Sequence, residues 1–213
     1  MKAAIQQDLE RLADPELVER IRAGDMRAMA VLMRRHNRML YRTARAILRD
    51  DAEAEDAVQE AYLHAYRSLA SFRGESKLST WLVRIAANEA LMRRRRNIRM
   101  AEVVPLDPAI QAEQDHGDSM LRRMLEKRID ALPDDYRAVF VLRALEELTV
   151  EETAAALGIP EATVRTRYFR ARGLLREALA RDVDRTLEEA FAFDGERCDR
   201  MVAAVLERIA SGT

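Results

Sequence analysis

The chain has few of the residues that cross-link, kink or break a polypeptide. Its 213 residues include one cysteine, five prolines and seven glycines, and aromatic residues make up 5%. The single Cys198 excludes an intramolecular disulfide, and no apolar run approaches the roughly 20 residues that cross a bilayer. The N-terminal residues also lack the apolar core of a secretory signal peptide. We therefore expect a cytoplasmic, helix-rich protein without direct membrane insertion.

The sequence also lacks the marks of a catalytic or cofactor site. Three histidines and one cysteine are too scattered to give metal-ligand spacing. Neither a glycine-rich phosphate loop nor the sharp nucleophile turn of a hydrolase is present. We therefore expect no metal, no cofactor and no enzymatic activity.

Charge, in contrast, is abundant and segregated along the chain. Charged residues make up 34%, yet the formal net charge is only -1. Acidic residues dominate residues 50–60 and 101–118, whereas arginines dominate residues 93–99 and return between 165 and 181. Such blocks predict several separate partner surfaces.

Apolar residues recur every three or four positions along most of the chain, which predicts helices. Asp14 and Pro15 predict the cap and first turn of the first helix. Further helices are predicted over residues 26–48, 52–69, 80–96, 120–132 and 136–145. Arginines of the helix at 26–48 should face water or a partner, and the apolar stripe of the helix at 52–69 predicts that Leu63 and Tyr66 are buried. No segment shows strand alternation, so the fold class is all-α.

Helical periodicity disappears after residue 97, where Pro105, Pro108 and Gly117 accompany acidic residues and where no Lys or Arg appears after Arg99. This pattern predicts two small helical domains, 1–97 and 119–181, joined by an acidic linker at 98–118. Residues 182–213 form a C-terminal extension with a predicted helix. Its apolar stripe should pack on the second domain or dock on a partner, and removing it should change activity or stability. The stripe contains Val202, Val205, Leu206 and Ile209.

Residues 149–176, LTVEETAAALGIPEATVRTRYFRARGLL, have the pattern of a helix-turn-helix. Thr149 and Glu152 form a predicted capping box, and Gly158 supplies the permissive backbone of the turn. Helical spacing directs Val164, Tyr168, Ala171 and Leu175 inward. The same spacing leaves Arg165, Thr166, Phe169 and Arg170 on the outer face. Arginine can bind guanine bidentately, and threonine or phenylalanine can contact a thymine methyl, so this face predicts DNA major-groove binding.

Two blocks in this order resemble one known family. The first is DAEAEDAVQEAYLHAYRSLASFRGESKLSTWLVRIAANEALMRRRR, and after the acidic linker the second is ALPDDYRAVFVLRALEELTVEETAAALGIPEATVRTRYFRARGLLREAL. Together they resemble the bacterial RNA polymerase sigma-70 family, specifically its extracytoplasmic-function (ECF) group. The resemblance covers roughly residues 15–180. It implies a subunit that directs core RNA polymerase to promoter DNA, usually under the control of an anti-sigma factor.

The resemblance also implies roles for individual residues. The helix at 50–66 would dock on the clamp coiled coil of the largest polymerase subunit through Asp56, Gln59 and Glu60. The loop at 71–80 and the following helix would hold the unpaired -10 strand, with Asn88 as the preferred base reader. The -10 residues would be Phe72, Arg73, Ser76, Lys77, Arg84, Asn88, Arg93, Arg94, Arg95 and Arg96. The -35 residues would be Arg165, Thr166, Arg167, Phe169 and Arg170, with Arg167 at the edge of the face.

Other interpretations of the same residues stay open. A free-standing helix-turn-helix regulator would explain residues 149–176 but would give the block at 71–96 no function. A helical adaptor or nucleic-acid enzyme would need a metal cluster, which the acidic block does not resemble. Trp81 fits either the core or a base-stacking role. The acidic linker fits either a solvated tether or a strand that occupies a nucleic-acid channel of the polymerase.

Overall fold

The computed structural model describes residues 8–103, 120–191 and 196–211. Within these ranges the regular structure is entirely helical, as the sequence predicts. The chain divides into two compact units, Met1–Leu174 and Leu175–Thr213. The main helices are α1 (Asp14–Arg22), α2 (Met26–Leu48), α3 (Asp51–Ser68), α4 (Leu78–Val103), α5 (Met120–Asp130), α6 (Asp134–Phe140), α7 (Val150–Leu157), α8 (Glu161–Phe191) and α9 (Glu196–Ala210).

Helices α1 to α4, here called the first lobe, share one apolar core. α2, α3 and α4 pack against one another, and α1 packs on α2. Leu32, Leu40 and Ile47 of α2 are almost completely buried. The facing sides of α3 and α4 are rich in alanine, whose small side chain lets helices approach closely. The buried alanines are Ala54, Ala57, Ala61, Ala65, Ala86, Ala87 and Ala90.

The second lobe comprises α5, α6, α7 and the first part of α8, to Leu174. α6 begins directly after Pro133 and continues as a π-helical turn over Val141–Leu145. Val139, Leu142, Val164 and Ala171 are among its buried residues. Both lobes lie in the first compact unit, where α6 packs on α2 and α7 packs on α4.

Several boundaries differ from the sequence prediction. Ala13, not Asp14, occupies the cap position of α1, and its backbone N–H donates to Glu16 at 2.8 Å. α4 runs on to Val103, past the predicted end near Arg96 and into the predicted linker. Residues 97–100 are exposed there, so they give no apolar stripe to detect. They nevertheless include good helix formers, and the first proline comes only at Pro105. The remainder of the linker, 104–119, lies outside the described residues.

The C-terminal compact unit contains the last part of α8 together with α9. α8 continues to Phe191, because residues 175–191 contain neither glycine nor proline, so no break falls at the predicted boundary of 181. The predicted terminal helix is present as α9. Val202, Val205, Leu206 and Ile209 are 49%, 50%, 60% and 70% exposed, so the structure leaves this stripe accessible.

Candidate functional site

The loop between α3 and α4 carries exposed polar side chains, and hydrogen bonds from α1 hold its backbone in place. Arg22 of α1 donates to the carbonyl oxygens of Leu69 at 3.0 Å and Phe72 at 2.6 Å. Phe72 is half-buried against the core, with its ring centroid 5.0 Å from that of Trp81. These two rings therefore support the loop from below. Arg73, Ser76 and Lys77 are exposed.

The hydrogen bonds from Arg22 to the loop backbone were not predicted. Arg22 lies 50 positions from Phe72 in the sequence, and no motif connects the two residues. Trp81 packs against the core, which favours its supporting role over the stacking role that the sequence left open.

The polar face of α4 continues from this loop. Arg84 and Asn88 are exposed and lie four residues apart, on the same face of the helix. The arginine run that follows points in several directions, because successive helical residues are about 100° apart. Arg95 and Arg96 are exposed, whereas Arg93 pairs with Glu53 at 3.0 Å and with Asp56 at 3.3 Å.

Arg94 faces the second lobe, 4.0 Å from Asp134 and 3.8 Å from Asp135. The run of four arginines predicted for the -10 strand therefore divides. Two of its members meet carboxylates of this chain, and Arg95 and Arg96 are exposed.

The outward face of α3 carries Asp56, Gln59 and Glu60, all exposed. Leu63 lies on the same face, three residues after Glu60, and is 48% exposed; Tyr66 is 44% exposed. The prediction that Leu63 and Tyr66 are buried is wrong. Tyr62 is buried instead, and its hydroxyl donates to the carbonyl oxygen of Met33 at 3.1 Å. The acidic face thus has an apolar side chain beside it.

The helix-turn-helix is built as the sequence predicts. The backbone N–H of Glu152 donates to the Thr149 hydroxyl at 3.1 Å, and the Thr149 N–H donates to the Glu152 carboxylate at 2.8 Å. The bond from the Thr149 N–H to the carboxylate lowers the pKa of Glu152 below its ordinary value. Gly158 ends α7 with φ of +63°, the left-handed region that glycine adopts without strain.

Inside the second lobe, Val164 and Ala171 are completely buried, and Leu175, the first residue of the C-terminal compact unit, is buried as well. Tyr168 is half-buried, with the guanidinium carbons of Arg143 and Arg172 at 5.6 Å and 5.8 Å from its ring centroid. Phe140 stacks on the same ring at 6.3 Å. These contacts fix the orientation of the N-terminal part of α8.

The opposite side of α8 is accessible. Phe169 is 80% exposed, and Arg165, Thr166 and Arg170 are exposed with it. Arg165 pairs with Glu161 one turn earlier, at 2.7 Å, and the Thr166 hydroxyl donates to the carbonyl oxygen of Ala162. Arg167 is half-buried at the edge of this face, where it pairs with Asp135 at 2.7 Å. The predicted -35 residues therefore form one surface.

Groups of metal-ligating side chains and membrane-spanning helices are both absent from the residues that the structure describes. In that part of the chain, three or more His, Cys, Asp or Glu side chains are nowhere grouped to hold a metal ion. Over the same ranges, none of the helices has both the length and the apolarity needed to cross a membrane.

Comparisons with known proteins connect these surfaces to a family. Residues 32–100 match sigma-70 region 2, and residues 122–175 match sigma-70 region 4. The chain is 38% identical to the RNA polymerase sigma-H factor of Pseudomonas aeruginosa, across 78% of this chain and 93% of that protein. It is 37% identical to the ECF RNA polymerase sigma-E factor of Escherichia coli K12, across 76% of this chain and 92% of that protein.

Two solved structures share the fold. One is the sigma factor RpoE of Bartonella quintana in complex with the anti-sigma factor NepR, with a TM-score of 0.63, 24% identity and coverage of 71% of this chain and 96% of that one. The other is CnrH in complex with the cytosolic domain of CnrY, with a TM-score of 0.54, 26% identity and coverage of 79% and 98%. The chain belongs to the sigma-70 family, as an ECF-type sigma factor that recognises promoters for RNA polymerase.

Proposed function

We propose that three separate surfaces of this sigma factor have different roles in transcription initiation. The exposed face of α8 would bind the -35 element as duplex DNA. The loop at 71–77 and the face of α4 would hold the unpaired -10 strand. The outward face of α3 would dock on core polymerase. The proposal rests mainly on the exposed side chains around Phe169. They lie on a helix whose opposite side, with Val164 and Ala171, is buried in the second lobe.

For the -35 element, Arg165 and Arg170 are suited to guanine edges or phosphates, and Phe169 is suited to a thymine methyl. The Thr166 hydroxyl is already used by the Ala162 carbonyl, so its methyl group is the part left for base contact. Arg167, half-buried and paired with Asp135, is suited to a phosphate at the edge of the face.

For the -10 element, Arg73, Ser76 and Lys77 offer hydrogen bonds to an extruded base, and the packed pair of Phe72 and Trp81 supports the loop beneath them. Asn88 stays our preferred base reader on α4 because its amide is exposed beside Arg84. Arg95 and Arg96 would neutralise phosphates along the strand.

For core polymerase, Asp56, Gln59 and Glu60 would pair with basic residues of the clamp coiled coil, and Leu63 would supply an apolar contact beside them. The chain would be a non-catalytic specificity subunit in the cytoplasm, and nucleotide polymerisation would belong to the core enzyme. We propose domain boundaries of 1–97, 98–118, 119–181 and 182–213.

We also propose that an anti-sigma factor binds this chain. The support is the likeness to RpoE of Bartonella quintana and to CnrH, since RpoE was solved with the anti-sigma factor NepR and CnrH with the cytosolic domain of CnrY.

The test is transcription in vitro with core polymerase, with and without this chain, on fragmented genomic DNA of the host, followed by mapping of RNA 5′ ends. We expect new start sites that share spaced -35 and -10 elements. Arg165→Ala and Arg170→Ala should weaken -35 recognition with losses that depend on the base. Absence of new start sites and of core binding by a folded chain would overturn the proposal. A palindromic footprint by the chain alone would point to a dimeric regulator.

A further inference from the structure

The first helix ends in a side chain that reaches the loop proposed for the -10 strand. α1 lies outside the part of the chain that matches sigma-70 region 2, since that match begins at residue 32. Arg22, the last residue of α1, nevertheless donates from its Nη2 atom to the carbonyl oxygens of Leu69 at 3.0 Å and Phe72 at 2.6 Å. The match to region 2 therefore gives this contact no role.

α1 itself is held firmly in the first lobe. Three of its side chains are at most 3% exposed and belong to the apolar core, namely Leu17, Val18 and Ile21. At the start of the helix, the Asp14 carboxylate accepts a hydrogen bond from Arg35 of α2 at 2.6 Å. Because closely packed side chains resist displacement, α1 cannot shift along α2 without opening the core. The guanidinium at the end of α1 therefore has a fixed starting point.

The two bonds from Arg22 fix the point where the chain leaves α3. The Leu69 carbonyl opens the short 3-10 turn Leu69–Ser71, and the Phe72 carbonyl follows that turn. The next five residues, 73–77, are all exposed. Since exposed residues have few packing contacts, their direction depends on the backbone that precedes them. Arg22 thus lies where it can set the direction of the exposed loop residues.

The ion pair between Arg22 and Glu19 does not account for this arrangement. Glu19 lies three residues earlier on the same helix and accepts from Nη1 at 2.6 Å, but its side chain is 70% exposed. An exposed pair of this kind contributes little to stability. The other nitrogen, Nη2, bonds both loop carbonyls, and hydrogen bonds from a charged donor are stronger than neutral ones. The main contact of this side chain is therefore the loop.

We infer that Arg22 is a positioning residue for the -10 strand, because it holds the Leu69 and Phe72 carbonyls so that the side chains of residues 73–77 are in place for an extruded base. The inference rests on the proposed -10 role of this loop. Arg22 does not touch the base itself. It raises the fraction of the free protein whose loop already has the binding arrangement, and the apparent affinity for the strand falls in proportion when this fraction falls.

The first measurement follows the loop in the free, full-length chain by tryptophan fluorescence. Trp81 is the single tryptophan of the sequence, and its ring centroid lies 5.0 Å from that of Phe72. We expect Arg22→Ala to shift the Trp81 emission to longer wavelength and to increase its quenching by acrylamide, since loss of the carbonyl bonds loosens Phe72 from Trp81. Arg22→Lys keeps the charge without the planar fork of the guanidinium, so it should give a smaller change in the same direction.

Two variants of the same helix are matched controls. Arg20→Ala removes the same charge from an exposed position of α1. Glu19→Gln removes the ion pair of Arg22 but leaves both of its carbonyl bonds. Both controls should keep the fluorescence of the wild type. Circular dichroism melting shows that each variant is folded.

The second measurement is binding of holoenzyme to a single-stranded -10 oligonucleotide, whose sequence comes from the mapped start sites. The oligonucleotide is used intact and with an abasic site at each position in turn. The extruded base is the one whose removal costs the wild type the most affinity. We expect Arg22→Ala to weaken binding of the intact strand about tenfold and to have almost no effect on the strand that lacks this base. A residue that only supports the fold would weaken both strands alike.

Unchanged Trp81 fluorescence in a folded Arg22→Ala variant would overturn the positioning role even if transcription with core polymerase succeeds. Equal losses of affinity for the intact and abasic strands, or no loss for either, would overturn it as well. If Arg22→Ala does not fold, the same outcomes apply to Arg22→Lys. Failure of the wild type to give new start sites would instead count against the proposed function, and the fluorescence comparison still decides whether Arg22 positions the loop.

Discussion

Arg93 and Arg95 lie two positions apart on α4 but have different surroundings. Arg93 is engaged by Glu53 and Asp56, whereas Arg95 is exposed. An arginine that contacts a phosphate of a single strand contributes about 0.7 to the slope of log affinity against log salt. We therefore expect Arg95→Ala to reduce this slope by about 0.7 for holoenzyme binding to a single-stranded -10 oligonucleotide, and Arg93→Ala to leave it nearly unchanged. Equal slope changes in filter-binding titrations would contradict the division of the arginine run.

Phe169 and Val164 test the two sides of α8. Phe169 is 80% exposed, so Phe169→Ala should leave the free energy of unfolding within about 0.5 kcal/mol of the wild type. It should still weaken binding of holoenzyme to -35 DNA, most at sites with thymine. Val164 is completely buried, and Val164→Ala should lower the free energy of unfolding by about 2 kcal/mol. Urea unfolding and DNA titration of both variants separate the effects, and an unfolding loss for Phe169→Ala would show that its ring supports the lobe.

At the residue scale, the sequence predicted which side of a helix is buried better than it predicted the contacts of individual side chains. Helical spacing alone placed Val164 inward and Phe169 outward, because burial of a helix follows its period. It wrongly placed Leu63 inward, whereas the structure buries the neighbouring Tyr62. The deciding contact is the Tyr62 hydroxyl bond to the Met33 carbonyl, on another helix.

At the element scale, α3 packs one face into the core of the first lobe and leaves the opposite face exposed. Leu63 lies on the outward face with Asp56 and Glu60 and is 48% exposed. Truncating a central apolar contact of an interface costs more than about 1 kcal/mol. We expect Leu63→Ala to weaken core polymerase binding roughly tenfold with an unchanged melting temperature. Tyr66→Ala on the same helix is the comparison, and equal losses from both would place the contact outside the face defined by Asp56. Competition against a labelled sigma factor provides the measurement.

The capping box gives α7 a pH dependence. The hydrogen bond from the Thr149 backbone N–H, followed by that from the Thr80 hydroxyl, lowers the pKa of Glu152 below its ordinary value of 4.5 in the folded chain. A carboxyl group with a lowered pKa contributes stability that is present above its ordinary pKa and is lost as the pH falls through the folded value. We expect the wild type to lose more unfolding free energy than Glu152→Gln below about pH 4.5. Thr149→Ala should cost about 1 kcal/mol at neutral pH. Urea unfolding of the wild type and of Glu152→Gln at each pH provides the measurement. Equal losses of unfolding free energy in the two proteins would contradict the prediction.

Helix starts were predicted more accurately than helix ends. Thr149 with Glu152 marks the start of α7 within the sequence itself, because the bonds that cap the helix are local. The end of α4 has no such signal, since residues 97–100 before it are exposed and carry no apolar stripe. α8 likewise continues past the predicted boundary of 181 to Phe191, because residues 175–191 contain neither glycine nor proline.

At the scale of the whole molecule, the sequence showed charge blocks but not their mutual pairing. The predicted surfaces were assigned to outside partners, yet Arg42 meets Glu146 and Arg94 lies near Asp135. These pairs are brought together by the packing of α6 on α2 and of α7 on α4. Side chains so far apart in the sequence leave no periodic signal, so this contact surface could not be predicted from a single chain.

The C-terminal extension gives the last prediction. Val202, Val205, Leu206 and Ile209 of α9 are each about half exposed or more, and the matched sigma-70 regions end at residue 175. Exposed apolar side chains contribute little to the stability of their own fold, whereas a row of them along one helix suits a partner. We expect deletion of residues 192–213 to leave the melting temperature unchanged and to alter promoter-directed transcription. Val202→Asp/Ile209→Asp, which keeps the full length, should have the same effect on transcription. A lowered melting temperature in the deletion variant would show that α9 stabilises the fold. Unchanged transcription in both variants would show that the stripe has no part in initiation.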